Sequence, residues 1–188
     1  MALGESFPEV LAAARLGAEW AWRALHRELA PQVAGYLRGR GAEAPEDLTA
    51  EVFLRLLVAI RDLHRFEGGE AELRAFAFTI AHHRLLDDRR SRRRRPEVLT
   101  GAEELGAGGP RGDAEAEAVE SLRTREIRRL IDGLSPDQRE VLLLRIVGGL
   151  NAEEVAAATG RGAWAVRAVQ RRGLLALRKK IALQAVQL

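Results

Sequence analysis

The stretch EEVAAATGRGAWAVRAVQRRG, residues 153–173, decides the fold of its half of the chain. Acids come first, then small apolar residues, then a Gly-x-Gly break, then an apolar run whose only charges are arginines. Asn151 and Glu154 form a capping-box pair at the start of the first helix. Gly160 is placed to leave that helix in a left-handed conformation. Two short helices joined by a tight glycine turn make a helix-turn-helix. Ala156 is small where the helices cross, and Val166 and Val169 lock the second onto the first. Val166, Val169, Gly173, Leu174 and Leu177 are expected to face inward. Arg161, Trp164, Arg167 and Arg171 are expected on the open side, with Gln170 at the boundary. Trp164 has two readings, since it can also pack against the preceding helix. A helix of this kind fits the major groove of B-DNA, where arginine pairs with guanine or holds phosphate and an acid would be repelled. Arg172, Arg178, Lys179 and Lys180 suit phosphate or solvent.

Moving toward the N-terminus, LSPDQREVLLL repeats the punctuation. Ser135 can cap a helix, Pro136 suits its first position and Gln138 completes a capping box. Before that, PEVLTGAEELGAGGPRGDAEAEA is rich in Gly, Ala and Glu and poor in large apolar residues. Residues 96–113 are read as a flexible acidic linker. The fold class is therefore all-α, with two small helical domains, 1–95 and 114–188, the second holding the helix-turn-helix. Strand periodicity is absent and helical periodicity runs throughout. In EDLTAEVFLRLLVAIRDL, Leu48, Val52, Leu56, Ile60 and Leu63 form one apolar stripe. Asp47, Glu51 and Arg55 line the other face at i, i+4 spacing, a mild support within the helix. Further helices are expected over 70–94 and over 17–38, the latter with a bend at Pro31.

The net charge of +3 is uninformative, but its distribution is not. Residues 81–95 hold 7 bases against 2 acids, and residues 161–188 hold 7 bases and no acid. Between them, residues 96–121 hold 7 acids and a single base. Two separated basic blocks imply a polyanion partner. There is no cysteine, which excludes a disulfide framework and cysteine-based zinc sites. The N-terminus MALGESFPEV lacks the basic-then-apolar pattern of a signal peptide. No run reaches the roughly 18 apolar residues of a membrane span. A cytoplasmic protein without membrane insertion is expected.

In the first domain, TIAHHRLLDDRRSRRRRP joins a helix to a dense arginine tail, with Phe66, Phe76 and Phe78 just before it. Aromatics beside basic residues suit single-stranded or melted DNA. Each phenylalanine taken singly reads first as core. His83 and Asp87, at i, i+4 within HHRLLDD, have a spacing that can hold a metal. A metal-dependent hydrolase needs more ligands, and His26 and His64 stand in unsuitable contexts, so no enzyme and no cofactor are expected.

Three stretches together resemble the extracytoplasmic-function group of bacterial sigma-70-type initiation factors. They are PEDLTAEVFLRLL, RFEGGEAELRAFAFTIAHHRLLDDRRSRRRRP and the run from LSPDQ to RKK. Their order, spacing and separation by an acidic linker all match. The resemblance implies a factor that binds core RNA polymerase, recognises the −35 promoter element, and melts and recognises the −10 element. It implies core-polymerase contact through Asp47, Leu48, Glu51 and Arg55, with Leu48 partly structural. It implies −10 contact through Arg65, Glu70, Phe76, His83, Arg84, Asp87 and Arg90, and −35 contact through Arg161, Trp164, Arg167, Gln170 and Arg171. An anti-sigma protein is implied as a further partner. The chain departs from the family pattern at Phe76, where tryptophan is common, at His83, where asparagine is common, and at Gly162, a weaker cap than serine. A conventional helix-turn-helix regulator that acts without polymerase is the alternative reading.

Overall fold

A computed structural model describes residues 3–62, 66, 68–94 and 129–185. The chain is all-α, and the described residues contain no strand. The expected linker falls within residues 95–128, outside the described residues.

After a short turn at Gly4–Ser6, the first half contains α1 (Phe7–Arg15), α2 (Glu19–Gly39), α3 (Pro45–Leu57) and α4 (Glu70–Arg94). Helix α1 was not anticipated from the sequence. Its buried residues Phe7, Val10, Leu11 and Ala14 follow helical spacing, but over only two turns, and Pro8 lies in its first turn. Helix α2 continues through Pro31 and buries Leu25, Leu29, Val33, Tyr36 and Leu37. Helix α3 starts on Pro45, whose missing N–H costs nothing at that position, and the Thr49 hydroxyl donates to the Pro45 carbonyl at 2.7 Å. It relaxes into a π turn at Val58–Asp62, so its expected stripe survives as Leu48, Val52, Leu56 and Ile60, all buried. Leu63 lies outside the described residues.

The second half contains α5 (Pro136–Ile146), α6 (Ala152–Thr159) and α7 (Ala163–Ala185). Both expected capping boxes form: Ser135 with Gln138, and Asn151 with Glu154. Gly160 ends α6 at φ +67°, and its N–H donates to the Ala156 carbonyl. Nothing lies within 4 Å of where a Cβ would sit. Gly160→Ala is therefore expected to cost only backbone strain, about 1–2 kcal/mol in chemical denaturation. A neutral substitution would mean that the turn relaxes.

Val166 and Val169 are buried as expected, but Leu174 is 44% exposed. The reason is Gly173. A Cβ there would stand 2.8 Å from Leu142 Cδ1, so α7 closes onto α5 through the glycine. The next residue, about 100° further round the helix, swings outward.

The two halves share one apolar cluster. Phe78, Ala81 and Leu85 of α4 belong to it together with Leu143, Leu144 and Val155. Helix α4 packs on α6, and α2 on α5.

Candidate nucleic-acid interface

The outer side of α7 carries Trp164, Arg167, Ala168, Arg171, Arg172 and Leu175 around a shallow open groove. Trp164 is 81% exposed, so packing against the preceding helix is not its role here. Arg171 is exposed and makes no hydrogen bond or ion pair among the described residues. Arg167 pairs with Glu153 of α6. Gln170 accepts a hydrogen bond from Arg145 Nε at 3.1 Å. Arg161 differs from the others: it is half-buried and donates to Asp137 at 2.7 Å and to Glu140 at 3.0 Å. The Arg161 hydrogen bond holds the Asp137 carboxyl below its ordinary range.

Along α4 the expected residues do not form one open surface. His83 is exposed. Phe76 is half-buried and stacks on Phe66, with ring centroids 6.1 Å apart and planes at 23°. Phe78 is core, with no exposed surface. The Glu70 carboxylate accepts from the Leu3 and Gly4 amides at 3.2 and 2.8 Å, and from Arg74 at 3.2 Å. It thereby ties the N-terminal turn to the start of α4. Arg15 reinforces that tie by donating to the Phe66 carbonyl at 2.7 Å. Arg84 is bound to Glu51 at 2.7 Å, with Asp87 at 3.9 Å, and Asp87 is 3.5 Å from Arg90. Arg65 lies outside the described residues. No group of three or more potential metal ligands occurs among the described residues.

On α3, Asp47 and Arg55 are exposed, whereas Leu48 is 5% exposed and belongs to the core. Glu51 does not support Arg55 within its own helix. It reaches across to Arg84 instead, and no Glu51–Arg55 pair forms among the described residues. A second apolar face of α3 was missed. Ala50, Phe53, Leu54 and Leu57 line a groove with Trp22 and His26 of α2. Leu54 is 64% exposed, and the Phe53 and His26 rings lie 4.6 Å apart. The signal was in the sequence: positions 50, 53, 54 and 57 repeat helical spacing out of register with the buried stripe. A soluble surface rarely presents such a patch without a partner.

The structure also gathers a polar cluster that no motif announced. Glu140 of α5 is 6% exposed. Its carboxylate binds Arg40 at 2.7 Å and Arg161 at 3.0 Å, and lies 3.6 Å from His82 Nδ1. Tyr36 places its hydroxyl 3.1 Å from the same ring nitrogen. Burial lowers the His82 pKa despite the nearby carboxylate, and burial raises that of Tyr36. His82 is thus a neutral core histidine at neutral pH, already committed to Tyr36 and Glu140.

Two family descriptions match the chain: Sigma-70 region 2 over residues 23–95, and Sigma-70, region 4 over residues 124–179. The ECF RNA polymerase sigma factor SigD of Mycobacterium tuberculosis (strain H37Rv) is 34% identical over 187 residues, covering 95% of this chain and 85% of SigD. The ECF RNA polymerase sigma factor SigX of Bacillus subtilis (strain 168) is 31% identical over 141 residues, covering 73% of this chain and 71% of SigX. Among solved structures, CnrH in complex with the cytosolic domain of CnrY shares the fold. The TM-score is 0.60 at 19% identity, covering 95% of this chain and 99% of that one.

Proposed function

Because this chain belongs to the extracytoplasmic-function family of RNA polymerase sigma factors, we propose that it binds core RNA polymerase, carries it to a promoter, opens the −10 element and reads the −35 element. The observation that carries the reading is the outer side of α7, where Trp164 and Arg171, both exposed, follow a capped helix and a glycine turn. That side is shaped for the major groove. Arg171 contacts bases or phosphates there, with Arg167 and Trp164 beside it. Gln170 and Arg161 join only after leaving their present partners.

The −10 element is held by the α4 side. His83 is exposed there, as are Asp87 and Arg90, and Phe76 on Phe66 supplies an aromatic stack against which an extruded base can rest. Glu70 acts by fixing the start of α4. Arg84, Asp87 and Arg90 form a charge chain along the helix, and Arg65 completes the set from the preceding loop. Core polymerase docks on α3, where the apolar groove around Leu54 adds to Asp47, Glu51 and Arg55 while Leu48 supports the helix from inside.

In this reading residues 1–95 serve the polymerase and the −10 element. Residues 96–113 are a linker, and residues 114–188 serve the −35 element. The protein works in the cytoplasm as a non-enzymatic factor without a cofactor. No helix among the described residues is long and apolar enough to cross a membrane. A protein that covers these faces, an anti-sigma factor, is its third partner.

The test is transcription from fragmented genomic DNA by bacterial core polymerase, with and without this protein, read by sequencing the 5′ ends. Discrete new starts that share two short upstream elements are expected. Arg171→Ala should reduce those starts about 5- to 150-fold, the equivalent of about 1–3 kcal/mol, and leave core affinity unchanged. No new starts, from a core preparation active with another factor, would overturn the reading. A polymerase-independent footprint on a palindrome would then support a conventional regulator.

A further inference from the structure

Helix α1 and the turn before it are tied at two points to the segment that leads into α4. At the start, the Leu3 and Gly4 amides donate to the Glu70 carboxylate at 3.2 and 2.8 Å. The first amides of a helical turn have no acceptor within it, and neither Leu3 nor Ser6 supplies a side-chain cap. A carboxylate from α4 takes that place. At the other end, Arg15 donates to the Phe66 carbonyl at 2.7 Å. Phe66 is 6% exposed and stacks on Phe76. The two ties therefore bracket Gly68 and Gly69, the residues with the widest backbone freedom. Helix α1 is itself firmly held. Phe7, Val10, Leu11 and Ala14 are buried, and the Trp22 indole N–H donates to the Ala14 carbonyl at 3.1 Å, one residue from Arg15. All of α1 precedes the stretch that matches Sigma-70 region 2.

We propose that α1 is a brace for the −10 readout, and that Arg15 is a positioning residue that holds the Phe66–Phe76 stack ready without touching DNA itself. The proposal rests on the promoter-opening reading above. An extruded base gives up its neighbours in the duplex, and the aromatic surface that receives it must offset that loss. A surface that still has to be ordered offsets less, because its ordering entropy is lost in the same step. Phe66, Gly68 and Gly69 lie outside any helix, so helix formation does not fix them. Arg15 fixes one end through the Phe66 carbonyl, and Glu70 fixes the other. Between them the Gly69 amide donates to the Glu72 carboxylate at 2.9 Å. A half-buried guanidinium suits the task, because a charged N–H donor binds a carbonyl more strongly than a neutral one.

The test uses the full-length protein with core polymerase on a promoter found by 5′-end sequencing, with 2-aminopurine in the −10 element to report base extrusion. Arg15→Ala is expected to slow the fluorescence rise about tenfold, the size of one lost charged hydrogen bond. Affinity for core polymerase and affinity of the closed complex should stay within about twofold of the parent. Arg15→Lys keeps a charged donor and should restore most of the rate. An opening rate unchanged by Arg15→Ala would overturn the brace. So would equal losses in opening and in core affinity, which mark a residue that only supports the fold. Glu70→Gln leaves one acceptor oxygen for the two amides, and should slow opening about threefold. An unchanged rate there would overturn the brace even if Arg15→Ala folded poorly.

Hydrogen exchange in the free protein gives a readout independent of DNA. Arg15→Ala should quicken exchange at the Gly69 amide about tenfold, while the amides of α7 exchange as in the parent. Unchanged exchange at Gly69 would overturn the brace, whatever the opening rate. If the unaltered chain opened no promoter at all, the promoter reading would fail, and exchange would still decide whether Arg15 holds the segment.

Discussion

Leu54→Asp is expected to lower affinity for core RNA polymerase by at least about 30-fold, equivalent to about 2 kcal/mol, the level of an interface hot spot. The side chain is 64% exposed and sits in a groove with Trp22, His26 and Phe53. A carboxylate there must either lose water without a partner or keep the surfaces apart. Because the position contributes little to the core, unfolding free energy should stay within about 0.5 kcal/mol of the parent. The measurement is a titration of labelled core polymerase, with Arg171→Ala as the comparison. Unchanged affinity would remove the groove from the interface and leave the docking to Asp47 and Arg55.

Phe78→Ala is expected to lower stability by about 3–5 kcal/mol, a fall of roughly 10 °C in Tm for a protein of this size. The ring has no exposed surface. It meets Tyr36 edge-on, with centroids 5.7 Å apart and planes at 74°. It also faces Gly148 of the second half, so the cavity would open at the seam where both halves meet. Calorimetry checks the size of the effect. A loss below about 1 kcal/mol would mean that the seam is not packed in solution.

The helix-turn-helix was legible almost residue by residue, because its signals are local. A capping box needs two residues three apart, and a left-handed exit needs one glycine. Ser135–Gln138, Asn151–Glu154 and Gly160 all stand where that chemistry put them. Leu174 was misassigned because the inward face was taken from periodicity alone. Gly173 against Leu142 decides the rotation of α7, and that contact depends on a helix 30 residues away. The seam was not legible. Arg40 caps the end of α2 while His82 and Glu140 lie on two other helices, and a lone buried glutamate resembles a surface residue until its partners arrive. The site residues were partly legible. Glu70 and Glu51 sit at the chosen positions, but their present partners are Leu3 and Gly4 backbone amides and Arg84. Charge type alone does not reveal such partners.

The separation along the chain between these contacts sets an order of assembly. The capping boxes close over three residues, whereas the Arg40 hydrogen bond to Pro136 spans 96. Loop-closure entropy makes short-range contacts fast and long-range ones late. Each helical half can therefore gather first, with the bridge between them forming last. A newly made chain would pass through an interval in which its halves are folded but not yet joined. During that interval the apolar side chains that meet across the seam would still face water.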